Sequence, residues 1–102
     1  MFSVVVTESA DKDLTEILEY ITGVLSNPKA ATDFLDRVDE CYSNLENNPL
    51  MFERCHDTHL EAQGYRRAVI KNYIMVYRVE EKENKVIVLN FFYGRRDYEK
   101  LI

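Results

Sequence analysis

The sequence predicts an α+β fold: an N-terminal strand, an antiparallel helical hairpin, and a three-stranded antiparallel meander, with the helices packed on one face of the sheet. Three observations carry this. Residues 2–7 are mostly β-branched and hold Phe2, Val4 and Val6 at period two, residues 9–45 hold two stretches of helical periodicity, and residues 65–93 hold three runs rich in β-branched and aromatic residues. Helices segregated from strands along a chain point to a sheet covered on one face. The sheet is expected to be antiparallel, with its other face open.

Each element has its own reason. Phe2, Val4 and Val6 share one side of the first strand. Thr7 or Ser9 can cap the next helix, and Glu8, Asp11 and Asp13 suit its positive end. Leu14, Ile17, Leu18, Ile21 and Leu25 then form one face of a helix over 9–25. Asn27-Pro28 restarts the chain as an N-cap followed by proline at the first helical position. Ala31, Phe34, Leu35, Val38, Tyr42 and Leu45 form the second apolar face, and Asn47-Asn48-Pro49 ends it. Residues 49–64 read as irregular. Strands follow at Tyr65–Lys71, Tyr73–Glu80 and Lys85–Tyr93, with Asn72 turning the chain between the first two and a charged loop joining the last two.

The chain has 102 residues, which suits one domain over 1–102. It is 46% hydrophobic and 30% charged, enough for a core and against wholesale disorder. No apolar run approaches the roughly 20 residues of a membrane span. The first ten residues lack a signal peptide's basic start and long apolar stretch. A cytoplasmic protein with no membrane partner is expected. Cys41 and Cys55 are too few for a disulfide framework and should be free thiols.

The net charge is −5, but it is unevenly distributed. Residues 1–64 carry −9 and residues 65–102 carry +4. The basic half is the candidate binding face, and the acidic residues of both helices (Asp13, Glu16, Glu19, Asp33, Asp36, Asp39, Glu40) read as solvated outer faces. Two clusters concentrate the chemistry. Gly94-Arg95-Arg96-Asp97-Tyr98 follows an apolar strand, and paired arginines there can hold a phosphate, with Asp97 orienting one of them. Gly64-Tyr65-Arg66-Arg67, followed by Lys71, Tyr73, Tyr77 and Arg78, interleaves cations with rings, as RNA binding requires. Alternation must send some of these tyrosines into the core. Cys55-His56-Asp57-Thr58-His59 matches no metal-ligand spacing and reads as an exposed loop with one partly buried cysteine. No cofactor and no metal is expected.

Four segments together resemble a known family. They are Ala10-x-x-Asp13-Leu14-x-x-Ile17, Asn27-Pro28-x-Ala30-Ala31, Gly64-Tyr65-Arg66 with Asn72-Tyr73-x-x-x-Tyr77-Arg78-Val79, and Tyr93-Gly94-Arg95-Arg96-Asp97-Tyr98. Their order and spacing, over nearly the whole chain, resemble the RelE/ParE superfamily of toxins from type II toxin–antitoxin modules. The resemblance implies a growth-inhibiting toxin and a cognate antitoxin whose C-terminal segment wraps it. A basic face would suit an acidic, amphipathic segment.

The resemblance implies one of two activities. In the first, a RelE-like toxin cuts mRNA in the ribosome without a metal. Arg96, Arg66 and Tyr98 would be catalytic, and Arg67, Lys71, Tyr73, Tyr93 and Arg95 would hold the RNA or another target. In the second, a ParE-like toxin inhibits DNA gyrase without nuclease activity. A third reading is a non-toxic remnant that only binds an antitoxin. The chain departs from the RelE pattern at two places: Ile74 stands where a central-strand arginine is found, and Ile102 near the C-terminal tyrosine, leaving Tyr98 as the nearest substitute.

Overall fold

The computed structural model describes residues 1–55 and 58–94. Strand β1 (Ser3–Val6) leads through Thr7 into helix α1 (Glu8–Glu19). Thr7 Oγ1 accepts the Ala10 N–H at 3.1 Å, so Thr7 is the N-cap. The same hydroxyl donates to the carbonyl of Val88 at 2.9 Å, which ties the helix start to the sheet.

Helix α1 ends in a π-helical turn, Tyr20–Val24, with the Leu25 N–H bonded to the Tyr20 carbonyl five residues back. A π-turn takes in one extra residue and rotates everything after it by about 100°. The expected apolar stripe therefore holds as far as Ile21, which is buried, and fails at Leu25, which is 54% exposed. Ser26 takes a left-handed φ of 50°, and α2 (Pro28–Asn47) follows. Asn27 Oδ1 accepts the Ala30 N–H at 3.1 Å, with Pro28 leading the helix. Ala31, Phe34, Val38, Cys41 and Leu45 are its buried stripe. Leu35 lies on the exposed side, and Tyr42 is half-buried.

Strands β2 (Arg66–Ile70), β3 (Tyr73–Glu80) and β4 (Lys85–Tyr93) form the antiparallel meander. The sheet order is β1-β4-β3-β2, and β1 runs parallel to β4, with Ser3 opposite Lys85 and Val6 opposite Val88. The sheet is therefore mixed rather than wholly antiparallel. The chain leaves the edge at β1, crosses over through the helices and re-enters at the opposite edge. Three alternating strands later, β4 returns beside β1 in the same direction.

Strand β4 carries a bulge: Val76 lies opposite Asn90 and Tyr77 opposite Val88, leaving Leu89 as the extra residue. The bulge reverses the alternation. Val86 and Val88 face the helices before it, and Phe91 faces them after it. On β3, Tyr73, Met75 and Tyr77 point into the same core.

The opposite face is not open throughout. A short helix α3 (Thr58–Ala62) lies within the segment expected to be irregular. Leu60 and the fully buried Cys55 pack there on Ile74 and Val76, flanked by Tyr65, Leu89 and Phe92. The strand β3 is consequently buried on both sides from Tyr73 to Tyr77. Residues 53–55 also run along β2: Arg54 bridges Arg66, the Arg67 N–H bonds to the Glu53 carbonyl, and the Cys55 N–H to that of Tyr65. This covers part of an otherwise unpaired edge. Among the described residues, no helix is long and apolar enough to cross a membrane.

Candidate functional site

The described basic residues of the C-terminal half do not form one continuous face. Arg66 lies opposite Tyr77, on the helix side of β2, and its Nη1 donates to the Phe52 carbonyl at 2.7 Å. Arg67 points to the other side and pairs with Glu53, Nη1 to Oε1, at 3.0 Å. Arg78 pairs with Glu80. Lys71 sits exposed in the β2–β3 turn with a left-handed φ of 56°. Lys82 lies in the β3–β4 connection and Lys85 opens β4, both at the other end of β3. Arg66 and Arg67 thus hold chain segments together, Arg78 pairs within its own strand, and the lysines are split between opposite ends of that strand. Of the expected catalytic group, Arg96 and Tyr98 lie outside the described residues, as do Asp97 and the expected target-binding Arg95; Arg66 is the catalytic member the structure places.

The tyrosines are placed differently from a base-stacking surface. Tyr73 is 8% exposed, its ring tilted on Phe34 at 5.0 Å and edge-on to Tyr93 at 5.4 Å. Tyr77 is fully buried and donates from Oη to the Pro49 carbonyl at 3.2 Å. Tyr93 alone of these three is well exposed, at 55%. Ile74, at the central-strand position, is 3% exposed within the second cluster.

Tyr73 and Tyr93 do meet a partner set, on the helix side. They form one wall of a groove of about 360 Å³, with Phe91 beside them. Asp13, Glu16 and Tyr20 of the first helix and its π-turn form the other wall, and Ile17 closes it between them. Asp13 is held in place by β4: its Oδ2 accepts the Phe91 N–H at 3.1 Å and the Asn90 Nδ2 at 3.0 Å. It is a structural acceptor rather than part of a solvated face. Burial raises the Tyr73 phenol above its usual range, with the neighbouring Tyr93 and Tyr20 adding to the effect. The Tyr73 hydroxyl therefore stays protonated near neutral pH.

Sequence reading found Tyr73 and Tyr93 but not Asp13, Glu16 and Tyr20 as their companions. The signal was available: with Ile17, the spacing i, i+3, i+4, i+7 makes one helical stripe. Its mixed polarity hid it beside the apolar stripe. Neither cysteine is a reactive site. Cys41 is buried, and burial followed by the charge of Glu40 pushes its thiol up to about 11, so little thiolate exists at neutral pH. Among the described residues no group of three or more His, Cys, Asp or Glu side chains could hold a metal ion.

Comparison with known proteins gives the family. A family model described as the ParE toxin of type II toxin–antitoxin system, parDE, matches residues 4–98. The chain belongs to the ParE toxin family. Among curated proteins nothing matches. Three solved structures share the ParE-like fold of this chain. The chromosomal ParDE toxin–antitoxin system from P. aeruginosa superimposes with a TM-score of 0.72 at 20% identity, covering 93% of this chain and 98% of that one. An archaeal RelE–RelB complex from Pyrococcus horikoshii OT3 gives 0.64 at 22% identity, covering 93% and 97%. The RelBE2 toxin–antitoxin complex from Mycobacterium tuberculosis gives 0.63 at 19%, covering 90% and 96%. As a ParE-family member, the chain is the toxin of a type II toxin–antitoxin system.

Proposed function

We propose that this toxin arrests growth by binding and inhibiting DNA gyrase, without cutting RNA. The observation that carries this reading is the engagement of the sheet's arginines. Arg66 is bonded to the Phe52 carbonyl and Arg67 to Glu53, and Ile74 fills the central position from within the core. Metal-free RNA cleavage needs cationic donors preorganised around the scissile phosphate and a group of suitable pKa to move a proton. Arginines committed to backbone and carboxylate acceptors serve that need poorly, and Tyr73 and Tyr77 are buried phenols with raised pKa values. The match to a family model described as the ParE toxin supports the same reading.

A cognate antitoxin belongs to this proposal, since the P. aeruginosa relative is a toxin–antitoxin system and the M. tuberculosis relative a toxin–antitoxin complex. Exposed Val24, Leu25 and Leu35 on the helical hairpin offer apolar contact to an amphipathic segment, and acidic residues of that segment would meet exposed cations such as Lys71. The complex should then dissociate faster in high salt.

Adding the purified toxin to gyrase, and separately to a translating cell-free reaction, tests the mechanism. Supercoiling should fall while mRNA keeps its full length. mRNA shortened only when ribosomes translate it would overturn the proposal in favour of ribosome-dependent cleavage, with Arg96→Ala as the variant to follow.

A further inference from the structure

We propose that the groove between α1 and the end of β4 is a receptor for an arginine side chain presented by a partner polypeptide. This does not rest on the choice of gyrase as target. Three features of the groove converge on a planar cation. The rings of Tyr73 and Tyr93 meet at 71° along one wall, and Tyr20 faces them from the π-turn. Ring faces carry negative charge and attract a guanidinium. Asp13 and Glu16 place two carboxylates on the facing wall. Asp13 spends Oδ2 on the sheet, and its Oδ1 has no partner among the described residues.

The third feature is Tyr73 itself. More than nine-tenths of the residue is buried, yet it lines the groove, and among the described residues its hydroxyl is accessible there with no hydrogen-bond partner. A guanidinium has five N–H donors, enough to serve the Tyr73 oxygen and a carboxylate together. An ammonium, a compact point charge, matches this flat, divided lining less well.

The charge also excludes the alternative. A nucleic-acid strand stacked on Tyr93 would bring phosphates beside Asp13 and Glu16, and among the described residues no cation lines the groove to offset them. The occupant is taken to be part of a polypeptide because Val24 and Leu25, both exposed, continue from Tyr20 along the same turn. Apolar residues flanking the arginine would lie there. The π-turn is what sets these two side chains on the outer surface while Ile21 stays in the core.

The test uses the full chain and three probes: N-acetyl-arginine methylamide, its citrulline counterpart, and a short peptide with one arginine between leucines. Amide and tyrosine-ring NMR shifts report binding. The peptide should shift Ile17, Tyr20, Tyr73, Phe91 and Tyr93, and its citrulline version should bind at least about tenfold more weakly. Glu16→Gln and Tyr93→Leu, both at exposed positions, should each weaken the peptide by about fivefold to tenfold without changing the thermal midpoint. Equal binding of the citrulline peptide, or shifts elsewhere, would overturn cation recognition. If the simple arginine derivative bound as tightly as the peptide, the polypeptide source would be wrong. If the groove responded only after Arg95 and Arg96 were replaced by glutamine, the chain's own arginines would be the occupant, and the proposal would fall.

Discussion

Tyr42 and Asp13 show how much one polar atom can matter in a chain this small. The Tyr42 hydroxyl is buried, and among the described residues it has no hydrogen-bond partner. Removing water from a hydroxyl without replacing its bond is unfavourable, so the phenylalanine ring should suit this site better. Tyr42→Phe is expected to stabilise the fold by about 1 kcal/mol in urea denaturation. A clear loss of stability would show that the hydroxyl is bonded in solution. Asp13 is the opposite case. Its carboxylate satisfies the Phe91 N–H just past the bulge, where the sheet ladder is disrupted, and it holds Asn90 as well. Asp13→Ala should cost about 2 kcal/mol, since hydrogen bonds to a charged acceptor are lost and an amide is left without its partner. Glu16→Ala, three residues on and exposed, should change stability by less than about 0.5 kcal/mol. The contrast separates the anchored carboxylate from the exposed one.

The elements that sequence reading recovers are those whose signal is local. Tyr73–Glu80 and Lys85–Tyr93 are strands to the residue, because β-branched and aromatic runs were bounded by turn residues. The second helix begins at its Asn-Pro cap and ends at Asn47 for equally local reasons. The rest depended on distant partners. The parallel pairing of β1 with β4 joins residues more than eighty positions apart. The bulge at Leu89 shows only in the register against β3. The short α3 exists because Leu60 and Cys55 cover Ile74 and Val76, a contact no period in 49–64 announces. The candidate site divides the same way: Tyr73 and Tyr93 were visible as rings on strands, whereas their carboxylate wall comes from α1. The β2–β3 turn offers a test at this scale. Asn72 is the residue its sequence singles out, yet Lys71 takes the left-handed φ of 56°. That conformation disfavours any side chain with a Cβ. Lys71→Gly should raise the urea midpoint, by about 0.5–1 kcal/mol of stability. A lower midpoint would mean that the lysine side chain stabilises the turn by more than its backbone costs.

Across the molecule, the core joins helices and sheet through neutral side chains that ionise only at high pH. Cys41 on α2 is pushed from 9.0 to about 11 by burial and by Glu40. Tyr77 on β3 is pushed from 10.0 to about 12 by burial, which outweighs the opposing pull of Arg66. Tyr42 is likewise raised to about 12, chiefly by burial. Each folded pKa lies above the unfolded one, so the unfolded chain loses its proton first as pH rises. The stability these groups contribute is fully present below pH 9 and is lost between about 9 and 12. Two units at Tyr77 correspond to roughly 3 kcal/mol across the upper part of that window. The net charge of −5 adds self-repulsion in the same direction. Tyr77→Phe isolates one group. It loses the bond to the Pro49 carbonyl and should be less stable at pH 7 by about 1 kcal/mol. It cannot ionise, so its stability should fall less steeply between pH 10 and 12, and the two stability–pH curves should converge or cross there. Urea melts of both proteins at half-unit steps from pH 7 to about 12 would show it. Parallel curves would mean that Tyr77 titrates alike in the folded and unfolded chain, leaving the alkaline transition to Cys41 and Tyr42.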